Sequence, residues 1–112
     1  MGWEGAMRGR RWIISDRYGN EIYLTDERWQ HIVEGHPEMR DCEDVLKQTI
    51  RLGTRTQEPL APQKFRYTRA SADLLDGNTH VVAVVLFRFE ESDDGPFRRN
   101  NYVVTAFQKR VR

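Results

Sequence analysis

A chain of 112 residues, 31% charged and 38% hydrophobic, suits one folded domain and leaves little room for two. Its single cysteine, Cys42, excludes an intrachain disulfide and a multi-cysteine zinc site, and a reducing, cytoplasmic setting is the simplest expectation. No apolar run approaches the ~20 residues of a membrane helix, so no membrane partner is expected.

The net charge of +1 conceals an asymmetry. Between Asn20 and Ile50 eight acids stand against three bases, whereas five bases and no acid follow Pro96. Lys64, Arg66 and Arg69 form a second basic cluster. Such a split can focus a field on one face and attract a polyanion; the plainer alternative is solvated faces with a basic tail. Residues 1–10 hold basic side chains with no apolar run behind them. They are expected to be a flexible arm rather than a secretory leader, ahead of one domain spanning 11–112.

In chain order, RWIIS (11–15) and EIYL (21–24) are β-prone runs joined by the turn-rich DRYGN, and together predict a small N-terminal hairpin. Thr25 suits an N-cap, with Asp26 and Glu27 in the first turn, where acids complement the helix dipole. Trp29, Ile32 and Val33 follow at helical spacing. The helix should stop near Gly35, because Pro37 pushes His36 out of the helical region. A second helix is expected from about Asp41 to Leu52, with Cys42, Val45, Leu46, Thr49 and Ile50 as its apolar stripe. TRTQEPLAPQ (54–63) reads as a polar connection. KFRYTRA (64–70), HVVAVVLFRFE (80–90) and NYVVTAFQ (101–108) read as strands of an antiparallel meander, turning at DGN (76–78) and SDDGP (92–96). The valine-rich run suggests a central strand buried on both faces. The expected class is α+β: two N-terminal helices packed on a twisted antiparallel sheet of about four strands, with the small hairpin beside them.

Two of the three histidines, His31 and His36, lie in HIVEGHPE (31–38). On an ideal helix His31 falls roughly 160° from Val33, beside Glu27 and Glu34. It is either an exposed helix histidine next to acids or an acid/base group. His36 either caps the carbonyls of the helix end or is carried round the corner toward the sheet. A metal fits poorly: the pair is spaced i, i+5 across a break, and no second donor cluster completes a site, so no metal and no cofactor are expected. Cys42 on an apolar stripe would be an inert thiol rather than a nucleophile.

The strands offer Lys64, Arg66 and Thr68 on one face, and His80, Val82, Val84, Leu86 and Arg88 on one face of the next. On the last strand, alternation groups Val103, Thr105 and Phe107, with Tyr102, Val104 and Ala106 opposite. Arg88 either reaches solvent near the EESDD turn or meets a polyanion. These residue types suit RNA cleavage without metal. Histidines serve as acid and base, arginine and lysine bind phosphate, and tyrosine or phenylalanine stacks a splayed base.

The segment DRYGNEIYLTDERWQHIVEGHPEM (16–39) resembles the phage-type branch of the Barnase–EndoU–colicin–RelE-like nuclease superfamily. Members of that branch look like LT-x-E-R-W-x-H-I-x-x-x-H-P-E, followed by a helix, a basic strand, a valine-rich strand and a last strand with T-A-[FY]. Here the later pieces are KFRY (64–67), VVAVVLFR (81–88) and VTAF (104–107), so the resemblance spans residues 16–108. It implies N-terminal helices on a four-stranded antiparallel sheet, and metal-independent endoribonuclease activity, often in toxins with an antitoxin or immunity partner. Carried over position by position, it implies His31, His36, Arg66, Arg88 and Thr105 as catalytic candidates. Lys64, Tyr67, Tyr102 and Phe107 are the candidate substrate contacts. A non-catalytic RNA- or protein-binding module on the same fold is the alternative expectation, and an interaction protein unrelated to nucleic acid is a third.

Overall fold

A computed structural model describes residues 9–93 and 95–112. Residues 1–8, most of the expected N-terminal arm, lie outside the described residues. The elements in order are β1 (Arg10–Ser15), β2 (Glu21–Thr25), helix α1 (Asp26–Gly35), a 3-10 turn (Pro37–Met39), helix α2 (Glu43–Leu52), β3 (Thr54–Glu58), β4 (Ala61–Ala70), a second 3-10 turn (Leu75–Gly77), β5 (His80–Ser92) and β6 (Gly95–Lys109). The class is α+β.

The sheet corrects the expectation of about four antiparallel strands. Six strands form one mixed sheet in the order β1-β2-β6-β5-β4-β3. Two features of the chain account for the difference. The N-terminal hairpin is not separate: β2 joins the sheet by a parallel pairing with β6 at Tyr23 and Tyr102. The polar stretch expected as a connection is an edge strand, in which Thr54, Arg55, Thr56 and Gln57 pair with Thr68, Tyr67, Arg66 and Phe65. Its charges and the proline that follows suit an unprotected edge. Asp76 and Gly77 lie in the 3-10 turn and Asn78 caps its end in an extended conformation, rather than forming a tight hairpin turn.

Both helices cover one face of the sheet. On that face lie Trp12, Ile14, Ile22, Leu24, Tyr67, Val81, Ala83, Val85, Val103 and Ala106, packed with Ile32 of α1, Met39, and Leu46 and Ile50 of α2. The consecutive residues Val81 to Val85 are all buried, as a central strand flanked on both sides requires.

Local chemistry sets the helix ends. Thr25 caps α1, its Oγ1 accepting from the Arg28 N–H at 3.0 Å. α2 starts at Glu43, two residues later than expected, so Cys42 precedes the helix. There the thiol donates to the Glu38 carbonyl at 3.5 Å and accepts from Gln108 Nε2 at 3.4 Å. Glu43 ties α2 to β1 by accepting from Arg11 and, at 2.9 Å, from Trp12 Nε1. At the other end Gly53 allows a close approach. A Cβ there would lie 2.3 Å from the Thr49 carbonyl oxygen and 2.9 Å from that of Thr68.

A bulge in β6 matters most for the site. Val85 pairs with Val103, but its neighbour Val84 pairs with Thr105, so Val104 is the extra residue. Strict alternation would put Tyr102 opposite Thr105 and Phe107. With the bulge, Tyr102, Thr105 and Phe107 share the face opposite the helices, whereas Val103 and Ala106 enter the core.

Candidate functional site

β2 is paired in the ladder with β6 at Tyr23 and Tyr102, and α1 then packs against β6. Ile32 is the buried residue of α1. Stepping about 100° per residue from Ile32 puts Trp29 and Val33 on one flank, and Glu27, Arg28 and His31 on the other. The first flank meets Arg11 and Arg40. The second borders a cavity of about 250 Å³ lined by Tyr23, Thr25, Glu27, Arg28, Tyr102 and Val103. His31 is therefore on the same flank as the cavity rim. Its side chain is 57% exposed and its Nε2 lies 3.8 Å from Glu27 Oε1.

His36 ends the helix, its backbone N–H donating to the Ile32 carbonyl at 2.7 Å. The corner made with Pro37 brings the imidazole to 5.7 Å from the Phe107 ring, centroid to centroid. Its Nδ1 lies 3.5 Å from Glu38 Oε2. Each motif histidine thus has a glutamate near one ring nitrogen, farther than a hydrogen bond in the case of His31.

The open face of the sheet continues from Phe107. Thr105 is two residues along the strand, roughly 7 Å away. Thr105, Val84 and Arg66 form one cross-strand row, and Tyr102, Leu86 and Lys64 form the next. Arg66 and Thr105 are separated by one intervening strand, roughly 10 Å between backbones, within reach of an arginine side chain and one phosphate. Arg66 is ion-paired with Glu58. His80 is on the same face, in the row of Lys109, and its Nδ1 lies 2.7 Å from Thr79 Oγ1.

The fold sets His36 against Phe107, on the face that also holds Thr105 and Tyr102, with Lys64 and Arg66 farther across it; His31 is on the α1 flank beside the cavity lined by Tyr102 but does not line that cavity. Two candidates stand elsewhere. Tyr67 is on the helix side and fully buried, so no base can stack on it without opening the core. Its hydroxyl donates to Asp16, which also accepts from the Asn20 and Tyr18 backbone N–H groups at 2.8 and 2.9 Å and from Asn20 Nδ2 at 3.0 Å. Burial alone would raise the Asp16 carboxyl, but these hydrogen bonds outweigh it and hold the group below the usual carboxylate range. Burial, reinforced by the bond to Asp16, raises the Tyr67 phenol. Arg88 pairs with Asn100, four residues beyond Val84 or roughly 13 Å along the strand, and is exposed there.

Arg28, Glu27 and His80 are site residues that the sequence reading did not select. Arg28 and Glu27 could have been found from their place on the flank of His31. His80 shares the alternation of Val82 and Val84, but nothing local says what faces it.

Among the described residues, no group of three or more His, Cys, Asp or Glu side chains is placed to hold a metal ion. No helix among them is long and apolar enough to cross a membrane. No protein-family model, no curated protein and no solved structure matches the chain.

Proposed function

We propose that the protein is a metal-independent endoribonuclease whose substrate lies across the sheet face left open by the helices, against the flank of α1. One observation carries the reading. His36 stands against Phe107 on the face that also holds Thr105, Arg66 and Lys64, and His31 is on the α1 flank next to the cavity lined by Tyr102.

The chemistry assigned to it is internal transesterification. One histidine takes the proton of the 2′-hydroxyl, whose oxygen attacks the adjacent phosphorus. The bond from phosphorus to the 5′-oxygen breaks, and the other histidine protonates that leaving oxygen. The products are a 2′,3′-cyclic phosphate and a 5′-hydroxyl. Arg28, Arg66 and Lys64 offset the charge that builds on the phosphoryl oxygens, and the Thr105 hydroxyl donates to one of them. Tyr102 and Phe107 present ring faces to unstacked bases.

A second reading is favoured by one contact. Arg66 is tied to Glu58 rather than free to stabilise a scissile phosphate, which suits a face that binds a partner without cutting it. The two readings separate when RNA is incubated with the protein in EDTA and the ends are identified. Cyclic phosphate ends, lost in His31→Ala and His36→Ala, support the nuclease. Salt-sensitive RNA binding that survives both substitutions, with no cleavage, supports the binding module.

A further inference from the structure

A second cleft lies on the helix-side face, beyond the end of the helices and away from His36 and Thr105. It has a volume of about 360 Å³ and is lined by Tyr18, Arg55, Phe87, Arg88, Phe89 and Arg99, among others. Arg55 serves its wall. Its guanidinium lies 4.5 Å from the Tyr18 ring centroid, 4.6 Å from Phe65 and 5.6 Å from Phe87. It also lies 4.0 Å from the buried carboxylate of Asp16.

The other two arginines are differently placed. Among the described residues no carboxylate comes within 4.0 Å of Arg88 or Arg99, and Arg99 reaches only the amide oxygen of Asn20 at 3.4 Å. Arg99 pairs across from Phe89 on the cleft side of the β5–β6 hairpin, whereas Arg88 alternates to its other side, and aromatic rings in this region stand in water. Phe89 is 67% exposed, Phe97 64% and Tyr18 48%. Glu90, Glu91 and Asp93 lie nearer the turn, which confines any anion to the base of the hairpin.

Exposed ring faces interleaved with unpaired arginines are what a flexible polyanion carrying planar bases needs: stacking for the base and charge for the phosphate. We infer that this cleft binds single-stranded nucleic acid, with a base stacked on Phe89 and a flanking phosphate held by Arg99, the cross-strand partner of Phe89. The site does not depend on cleavage, because a protein that binds without cutting would use it equally.

The test is fluorescence anisotropy with a labelled single-stranded DNA, which lacks the 2′-hydroxyl and so cannot be cut by the proposed route. Wild type, Arg99→Ala and Phe89→Ala are compared at several salt concentrations, each with its melting temperature. Both side chains are exposed, so native-like melting is expected. Arg99→Ala should bind about tenfold more weakly, with a shallower dependence of log affinity on log salt by about 0.7 for the lost phosphate contact. Phe89→Ala should lose about tenfold or more affinity.

Wild-type binding left unchanged by both cleft variants, or no wild-type binding, would overturn the inference. So would a wild-type dimer that the cleft variants dissociate, because the surface would then hold a second copy of the chain. Binding that follows this pattern while RNA stays intact in EDTA would sink the nuclease reading and leave the cleft standing.

Discussion

The His36 imidazole stands 5.7 Å from the ring of Phe107, tilted by 35°, at the edge of β6 that α1 covers. This contact turns a helix-end residue into part of the sheet face. Phe107→Ala should free the imidazole and lower RNA turnover by about a hundredfold, since small misplacements of a reacting group cost that much. Its effect on KM should be smaller. Equal RNA turnover in the variant and wild type would show that the contact positions nothing.

Arg66 reaches the substrate only by leaving Glu58, its partner in the structure. Arg66→Ala should weaken binding of single-stranded RNA and reduce the salt slope by about 0.7. Glu58→Gln should do the opposite at low salt, tightening binding several-fold because the guanidinium loses a competing anion. Weaker binding by Glu58→Gln would mean that the pair, not the free arginine, meets RNA.

Tyr67 and Asp16 form a buried pair remote from the open face, so Tyr67→Phe separates stability from activity. It should cost about 1.5–3 kcal/mol of unfolding free energy, the range for a hydrogen bond to a charged group, and leave RNA turnover unchanged. Asp16 is held below its ordinary value in the fold, with burial opposing and the Tyr67, Asn20 and Tyr18 hydrogen bonds prevailing. Its contribution is therefore complete above the unfolded value near ~3.9 and is lost as pH falls through the lower folded value. Glu43, lowered chiefly by the Arg11 hydrogen bond, acts in the same direction. Wild type should lose stability below about pH 4, and Tyr67→Phe should lose less over that window. Urea unfolding at neutral and acid pH reads both; parallel pH profiles would contradict the assignment.

Gly53 sits where α2 hands the chain to β3, against backbone on two sides. Gly53→Ala should destabilise by about 1–3 kcal/mol, because carbonyl oxygens cannot swing aside as a flexible side chain can. A melting temperature equal to wild type would show that α2 and β4 separate at little cost.

The parts of the fold legible in the sequence were those decided locally. The Thr25 cap, the stop at Gly35 before Pro37, and the buried run Val81 to Val85 follow from neighbouring residues. The pairing of Tyr23 with Tyr102 does not, because parallel contact between distant strands leaves no periodic mark. The strand at Thr54–Glu58 was hidden by its polarity, which is what an edge strand tolerates. Arg66 and Tyr67 are adjacent in a strand and so must face opposite ways. Alternation alone separates them, although the motif carries them together. The reverse held for Tyr102 and Thr105, which alternation separates and the bulge at Val104 reunites.

The central claim is that His36 and the open face cut RNA together without a metal. The most direct measurement is the rate of RNA cleavage in EDTA by wild type and by His36→Ala, matched in melting temperature. The account predicts 2′,3′-cyclic phosphate products from wild type and a rate lower by at least about a hundredfold in the variant. Equal rates from the two proteins, or no cleavage by wild type of structured and unstructured RNA alike, would contradict it.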